Sequence, residues 1–329
     1  MAKLNWGIIG CGDVFKNKSG PAIQHSFDSC IQIVMQRDAE GARECAKQFN
    51  VEEWTDNAFS VLENKRVDIV YVATPPSTHL KYVQLAAKAG KHVLVEKPMG
   101  IKSEESLSMV KTCKETGVEL FVAYYRRFYP HIVSIRKLIS EGLIGRVKSF
   151  LMERADGDFV QRLATGRFTW REDVSISGGG PFIDQGSHRI DLAIALFGPI
   201  VEASSVINSF STTLQIEKEV NLSLKFNSGV SGVIYGDFSS GRNVDILKIN
   251  GEKGVIVSDP IDSYSFTLLN KFQTKKHRFS RYPAPHLGLI RHIEAVLLAN
   301  KDNQVSGTEG VMTEKILDEN IRKRFDSFI

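Results

Sequence analysis

The chain is short of cysteine, with only Cys11, Cys30, Cys45 and Cys113 in 329 residues and no C-x-x-C pair among them. That spacing offers neither a zinc cluster nor a disulfide framework, so no metal is expected, and reduced thiols in a cytoplasmic setting are. No run of eighteen apolar residues occurs, and Met1 to Trp6 enters a strand-like segment without an apolar leader, so no membrane segment is expected. Charge of one sign is also lacking: 42 basic against 38 acidic residues leave a net +4, too little to mark a nucleic-acid binder. The Y-x-x-x-K pair, the G-x-S-x-G elbow and the Walker-type loop are absent, which removes several routes to alcohol oxidation, acyl transfer and phosphoryl transfer. What is present, 42% hydrophobic and 24% charged, is the composition of an ordinary globular protein of about two domains.

Between Leu4 and Ala123 short β-rich runs alternate with helical stretches, the order that builds a parallel sheet with helices on both faces. The strand runs are Trp6 to Ile9, Ile31 to Gln36, Ile69 to Ala73, His92 to Val95 and Leu120 to Ala123. The predicted helices carry their own punctuation. Ala39 to Phe49 follows a capping Asp38, Thr78 to Ala89 stops at Gly90, and Ser103 to Thr116 opens on Glu104 and Glu105 and stops at Gly117. After Pro130 the pattern changes. A helix at Ile132 to Glu141 and a strand near Val147 to Glu153 precede a polar stretch reaching Gly180, too long for a simple connection and expected as a lid or binding loop. A helix over Phe182 to Phe197 leads into strand runs with no helix between them, at Val201 to Phe210, Val220 to Phe226, Val230 to Phe238, Ile246 to Asn250 and Val255 to Ser258. These predict an open, largely antiparallel sheet. Helices near Leu287 to Ala299 and Val311 to Phe325 close the chain. The expected fold is α/β, with a Rossmann domain over residues 1–125 and a substrate-binding and oligomerisation domain over residues 126–329. An open sheet needs cover on its second face, so a homodimer or homotetramer is expected.

Gly10-Cys11-Gly12-Asp13-Val14-Phe15 follows the first strand directly. Such a turn brings backbone N–H groups at a helix N-terminus close to a pyrophosphate, which makes Gly10, Gly12, Asp13 and Val14 cofactor candidates. Phe15 stands where the dinucleotide fingerprint has its third glycine. The second strand ends Met35-Gln36-Arg37-Asp38, where a carboxylate would read an adenosine ribose. Gln36 is neutral and Arg37 offers a fork for a 2′-phosphate, so NADP is expected ahead of NAD. The next two strands run into Ala73-Thr74-Pro75-Pro76-Ser77-Thr78-His79 and Glu96-Lys97-Pro98, at the carboxyl ends where open α/β sheets bind ligands. Thr74, Pro75, His79, Glu96 and Lys97 therefore join the cofactor set, and Pro98 restricts Lys97 to extended backbone. Farther on, Gly178-Gly179-Gly180 precedes Asp184 and His188, which share one face if the segment is helical. A carboxylate beside an imidazole at the end of a flexible glycine stretch suits proton transfer. Each motif alone also fits a plain turn, a helix cap or a surface pair. Arg154, Arg162, Arg167 and Arg171 flank the polar stretch, and solvated surface roles suit them better than an anionic-substrate pocket.

Taken in order and spacing, these motifs resemble the Gfo/Idh/MocA family of glucose-fructose oxidoreductase and inositol dehydrogenase. The matching stretches are Gly7 to Gly12, Ala73 to Pro76, Glu96 to Pro98, Tyr124 to Phe128, Trp170-Arg171, Gly178 to His188 with Asp191, and Gly307 to Leu317. The resemblance implies hydride transfer between a nicotinamide and a hydroxyl or carbonyl of a sugar or polyol. Carried over residue by residue, it implies Lys97 as the catalytic lysine, Asp184 as a substrate-binding aspartate and His188 as the acid–base histidine. Phe15 and Gln36 depart from the fingerprint and bear on cofactor choice rather than on fold. Two other classes share the fold: a glycosidase that holds NAD tightly and acts by transient oxidation, and a non-catalytic dinucleotide sensor.

Overall fold

The computed structural model describes residues 3–166, 169–211 and 214–323. The chain divides into two compact units, residues 1–125 with 282–314 and residues 126–281 with 315–329. Residues 282–314, expected in the second domain, belong to the first.

The first unit is built on six parallel strands, β1 (Leu4–Ile9), β2 (Ser29–Met35), β3 (Glu53–Thr55), β4 (Ile69–Val72), β5 (His92–Val95) and β6 (Leu120–Val122), in the order β3-β2-β1-β4-β5-β6. Trp6, Ile8, Ile9, Val70, Tyr71, Val93 and Leu94 are wholly buried, which is why these runs read as continuous rather than alternating apolar segments. Helix Ala39–Phe49 starts where Asp38 accepts the Gly41 N–H at 3.0 Å, and helix Ser103–Thr116 stops at Gly117 with φ 71°. The helix expected from Thr78 begins as a 3₁₀ turn, Pro76–Thr78, and continues over His79–Lys88. Strand β3 and the short helix Ala58–Glu63 were not expected; three and six residues are too few to set a period. A helical stretch over residues 13–24 follows β1 and passes through a π turn at Phe15–Ser19. Phe15 is wholly buried there, its ring 4.9 Å from that of Phe49, so an aromatic ring fills the space that a third glycine would close by direct packing.

The returning segment joins this unit for identifiable reasons. β6 is an edge strand, and the chain near Val305 covers it, with Val122 N–H donating to Val305 O at 2.8 Å and an antiparallel bridge between Phe121 and Ser306. Helix Leu287–Ala299 buries Leu289, Ile290 and Ile293, and its Glu294 accepts the hydroxyls of Ser26 and Ser29 at 2.5 Å each.

The second unit carries an eight-stranded sheet in the order β14-β13-β12-β11-β7-β10-β9-β8. Its strands are β7 (Val147–Asp156), β8 (Ile200–Ser211), β9 (Ile216–Phe226), β10 (Ser231–Asp237), β11 (Asn243–Gly251), β12 (Gly254–Ser258), β13 (Ser265–Asn270) and β14 (Thr274–Arg278). All neighbours are antiparallel except β7 and β10, as the uninterrupted strand runs predict. The Asn227-Ser228-Gly229 turn joins β9 to β10, with Gly229 at φ 82° and its N–H on Phe226 O at 2.9 Å. Helix Pro181–Phe197 is buried over most of its length, and its Phe197 ring stacks 4.9 Å from Phe150 of β7. The polar stretch before it is more regular than a loop, holding helix Gly157–Ala164 and a turn of helix at Val174–Ser177. Helix Gly307–Leu317 ends in a π turn, Asp318–Arg322; the expected extension to Phe325 reaches beyond the described residues.

Candidate active site

In the first unit the two glycines of the β1 turn do different work. Gly10 has φ 105°, and a Cβ there would lie 2.6 Å from Ala73 O at the end of β4, so only glycine fits the fold at this position. Gly12 is exposed, and nothing lies within 4 Å of where its Cβ would point. Open space over a glycine at the start of a helix is what a bound pyrophosphate requires, and Asp13 (exposed) and Val14 (half-buried) begin that helix. The residues present therefore fit a dinucleotide. Cys11 faces inward, its thiol 3.5 Å from Met35 O; the neighbouring Cys45 thiol and burial push its pKa up. Beyond β2, Arg37 is exposed and makes no ion pair among the described residues, while the neighbouring Asp38 carboxylate serves as the helix cap.

Lys97 leaves the carboxyl end of β5, half-buried, on a loop clamped from both sides. On one side Glu96 turns inward: one carboxylate oxygen accepts the Tyr71 hydroxyl at 2.5 Å and the other accepts the Lys97 N–H at 3.2 Å. Tyr71 in turn accepts the Ser19 hydroxyl at 2.8 Å, and Ser19 lies 3.0 Å from His286 Nδ1. Burial raises the Glu96 carboxyl above the usual carboxylate range, against the opposing pull of the Tyr71 hydrogen bond and the Lys97 charge. On the other side the Met99 N–H donates to Glu314 at 2.8 Å. His79 ties the neighbouring loops together, its Nε2 2.8 Å from Thr74 O and its Nδ1 3.0 Å from Pro98 O and 3.2 Å from Met99 O. His79 and Glu96, both expected beside the cofactor, are buried, and their contacts hold the loops that carry Thr74, Pro75 and Lys97. Tyr71, Ser19, His286 and Glu314 escaped the sequence reading; the only hint was a tyrosine in an otherwise aliphatic strand.

In the second unit the segment carrying Asp184 and His188 is helical, so the two residues share a face of helix Pro181–Phe197. Asp184 is half-buried and His188 is 5% exposed. One turn beyond, Asp191 receives the Arg127 guanidinium through Nε at 2.8 Å and Nη2 at 2.6 Å, a pair shielded from solvent on both sides. The glycine stretch is packed and hydrogen-bonded rather than open. Gly178, Gly179 and Gly180 are buried; Arg322 Nε donates to Gly178 O at 2.8 Å, and Ser177 Oγ donates to Gly179 O at 2.6 Å. Of the flanking arginines, Arg154 is committed to Asp156 at 2.9 Å and to Gln185, Arg162 lies over the Phe159 ring and Arg171 over Trp170. Arg167 lies outside the described residues. No group of three or more metal-ligating side chains occurs among the described residues, and none of their helices is long and apolar enough to cross a membrane.

A Rossmann sheet whose glycine turn faces open space, with a lysine presented at the carboxyl end of β5 in the same sheet, defines the class as a dinucleotide-dependent oxidoreductase. Residues 4–124 match the group described as the oxidoreductase family with an NAD-binding Rossmann fold, and residues 132–257 match the GFO/IDH/MocA C-terminal domain. The chain belongs to the GFO/IDH/MocA family, as the motifs imply. It is 31% identical to Oxidoreductase P35 of Formosa agariphila over 96% of this chain and 98% of that protein. It is 24% identical to inositol 2-dehydrogenase of Rhizobium meliloti over 97% of this chain and 96% of that one. In fold it resembles a levoglucosan dehydrogenase solved with NADH and levoglucosan, with a TM-score of 0.87 and 22% identity over 98% of both chains.

Proposed function

We propose that the protein transfers a hydride between a nicotinamide and a hydroxyl or carbonyl carbon of a sugar or polyol, with Lys97, Asp184 and His188 serving that one reaction. The observation that carries the reading is the clamped loop at the end of β5, where Glu96 and Glu314 fix the backbone on either side of a half-buried Lys97. The relatives named for inositol and levoglucosan oxidation support a polyhydroxylated substrate.

When bound, the nicotinamide supplies the hydride acceptor or donor. The chain's own residues manage the proton. In the oxidative direction the His188 imidazole takes the hydroxyl proton as general base; its imidazolium returns the proton in reduction. Lys97 donates a hydrogen bond to the same oxygen and stabilises the developing alkoxide. Asp184 orients the substrate or balances the imidazolium. Gly10, Gly12, Asp13, Val14, Thr74 and Pro75 shape the dinucleotide seat. Arg37, exposed and unpaired among the described residues, favours NADP over NAD.

The same reading places the protein in the cytoplasm as a homodimer or homotetramer, assembled through the sheet face that bears the exposed Leu151 and Val206. A panel of sugars, polyols and sugar acids, offered with each oxidised cofactor and followed by nicotinamide absorbance, tests the proposal. Net accumulation of reduced cofactor with at least one panel member is expected. Sugar release without that accumulation supports the glycosidase, and cofactor binding with no turnover supports the sensor.

A further inference from the structure

Helix Pro181–Phe197 begins at Gly180, a residue with no side chain to cap it. The cap comes instead from β9. Glu217 is wholly buried, and its carboxylate accepts the Gly180 N–H at 3.0 Å through Oε2 and the Ile183 N–H at 2.9 Å through Oε1. These are donors that a helix start otherwise leaves unsatisfied, and the negative charge faces the positive end of the helix. Burial pushes the Glu217 carboxyl up, and the surrounding backbone N–H groups pull it back. The approach also explains the third glycine, because a Cβ on Gly180 would lie 2.7 Å from Glu217 Oε2 and 2.7 Å from the side chain of Ile216.

We propose that Glu217 is a positioning residue: its buried carboxylate fixes the first turn of the helix and so sets where Asp184 and His188 are presented to the substrate. The proposal rests on the reading of His188 as the proton-transfer group. Asp184 is the fourth residue of the helix, its N–H 3.2 Å from Gly180 O, so the seat of Gly180 passes directly to it. Each residue of slip turns an α-helix by about 100° and advances it about 1.5 Å. A displacement of about 1 Å at a reacting group costs on the order of a hundred-fold in rate.

Glu217→Gln tests this. The amide keeps the size but presents N–H to N–H at one of the two bonds. With the panel substrate turned over fastest, kcat should fall by between about ten- and a hundred-fold, while cofactor affinity, read by fluorescence of the bound reduced nicotinamide, stays within about two-fold. A cap that only stabilises the fold would lower the melting temperature and leave kcat per folded molecule unchanged well below that temperature. Glu217→Gln added to the Asp184→Ala, His188→Ala double variant should be no slower than that double variant alone, since both residues that Glu217 positions are then gone. Additive losses, or wild-type kcat in Glu217→Gln, overturn the proposal. If the Gln variant does not fold, Glu217→Asp is read in its place; it keeps the charge but falls short by one methylene, and wild-type kcat there overturns the proposal equally. Wild-type turnover in His188→Ala alone sinks the assignment of His188, an outcome distinct from a failure of Glu217.

Discussion

Removing one hydroxyl, in Tyr71→Phe, probes how the Lys97 loop is held. Tyr71 is wholly buried; its hydroxyl donates to Glu96 at 2.5 Å and accepts from Ser19 at 2.8 Å. Phenylalanine fills the same space without either bond. A hydrogen bond to a charged group contributes about 1.5–3 kcal/mol and a neutral one about 0.5–1.5 kcal/mol, so the loss should be about 2–4 kcal/mol. For a unit of this size that is roughly 5–15 °C in melting midpoint. The loss should also depend on pH. Burial raises the Glu96 carboxyl in the folded state, so its contribution is fully present below the unfolded carboxyl range and is lost as pH rises through the folded value. The Tyr71 hydroxyl holds that rise in check by stabilising the charged form. Without it the folded value climbs further and the ionised Glu96 becomes costlier. Urea unfolding at acid and at mildly alkaline pH should therefore show the larger destabilisation at the higher pH, up to roughly two-fold, because bonds to ionised groups are about twice as strong as neutral ones. A loss under about 0.5 kcal/mol, or one equal at both pH values, would refute the clamp.

The two glycines of the β1 turn should separate structure from function. Gly10→Ala, forced to φ 105° and against Ala73 O, should cost about 1–3 kcal/mol of stability, whereas Gly12→Ala should melt like the wild type and bind dinucleotide about ten-fold more weakly in a fluorescence titration. Asp191→Asn leaves the Arg127 guanidinium buried beside a neutral amide and should destabilise by about 3–5 kcal/mol on denaturant unfolding. Arg37→Ala should weaken NADP by about ten-fold or more while leaving NAD nearly unchanged, and equal binding of the two cofactors to the unmodified protein would remove Arg37 from the account.

Local signals carried most of what the sequence disclosed. Asp38 and Gly117 mark helix ends because capping acts over three or four residues, and the buried parallel strands announce themselves as aliphatic runs. The candidates Gly10, Gly12 and Lys97 stood out because they follow strand ends, and Asp184 and His188 because they lie four apart after a glycine stretch. What was not legible is long-range. His286 reaches Ser19 across 267 residues and Glu314 reaches Met99 across 215, and nothing in an apolar helical pattern at Leu287–Ala299 says which unit it covers. Three consecutive glycines read as freedom, and only the partners Arg322, Ser177 and Glu217 show them to be a fixed seat. Glu217, between Ile216 and Lys218, reads as an ordinary exposed charge in a strand, since its burial is decided by a helix start earlier in the chain. The inward turn of Glu96 and His79 was not legible either, because position in sequence cannot show which way a side chain turns.

The central claim is tested most directly by steady-state turnover of Lys97→Ala and His188→Ala on the panel substrate that the wild-type protein oxidises fastest, with cofactor affinity measured in parallel. Losing a positioned proton-transfer or electrostatic group should cut kcat by about a hundred-fold or more in each variant, with dinucleotide binding within about two-fold of wild type. Near-normal kcat in either variant would contradict the account for that residue, and lost cofactor binding in Lys97→Ala would move the lysine from the chemistry to the nucleotide.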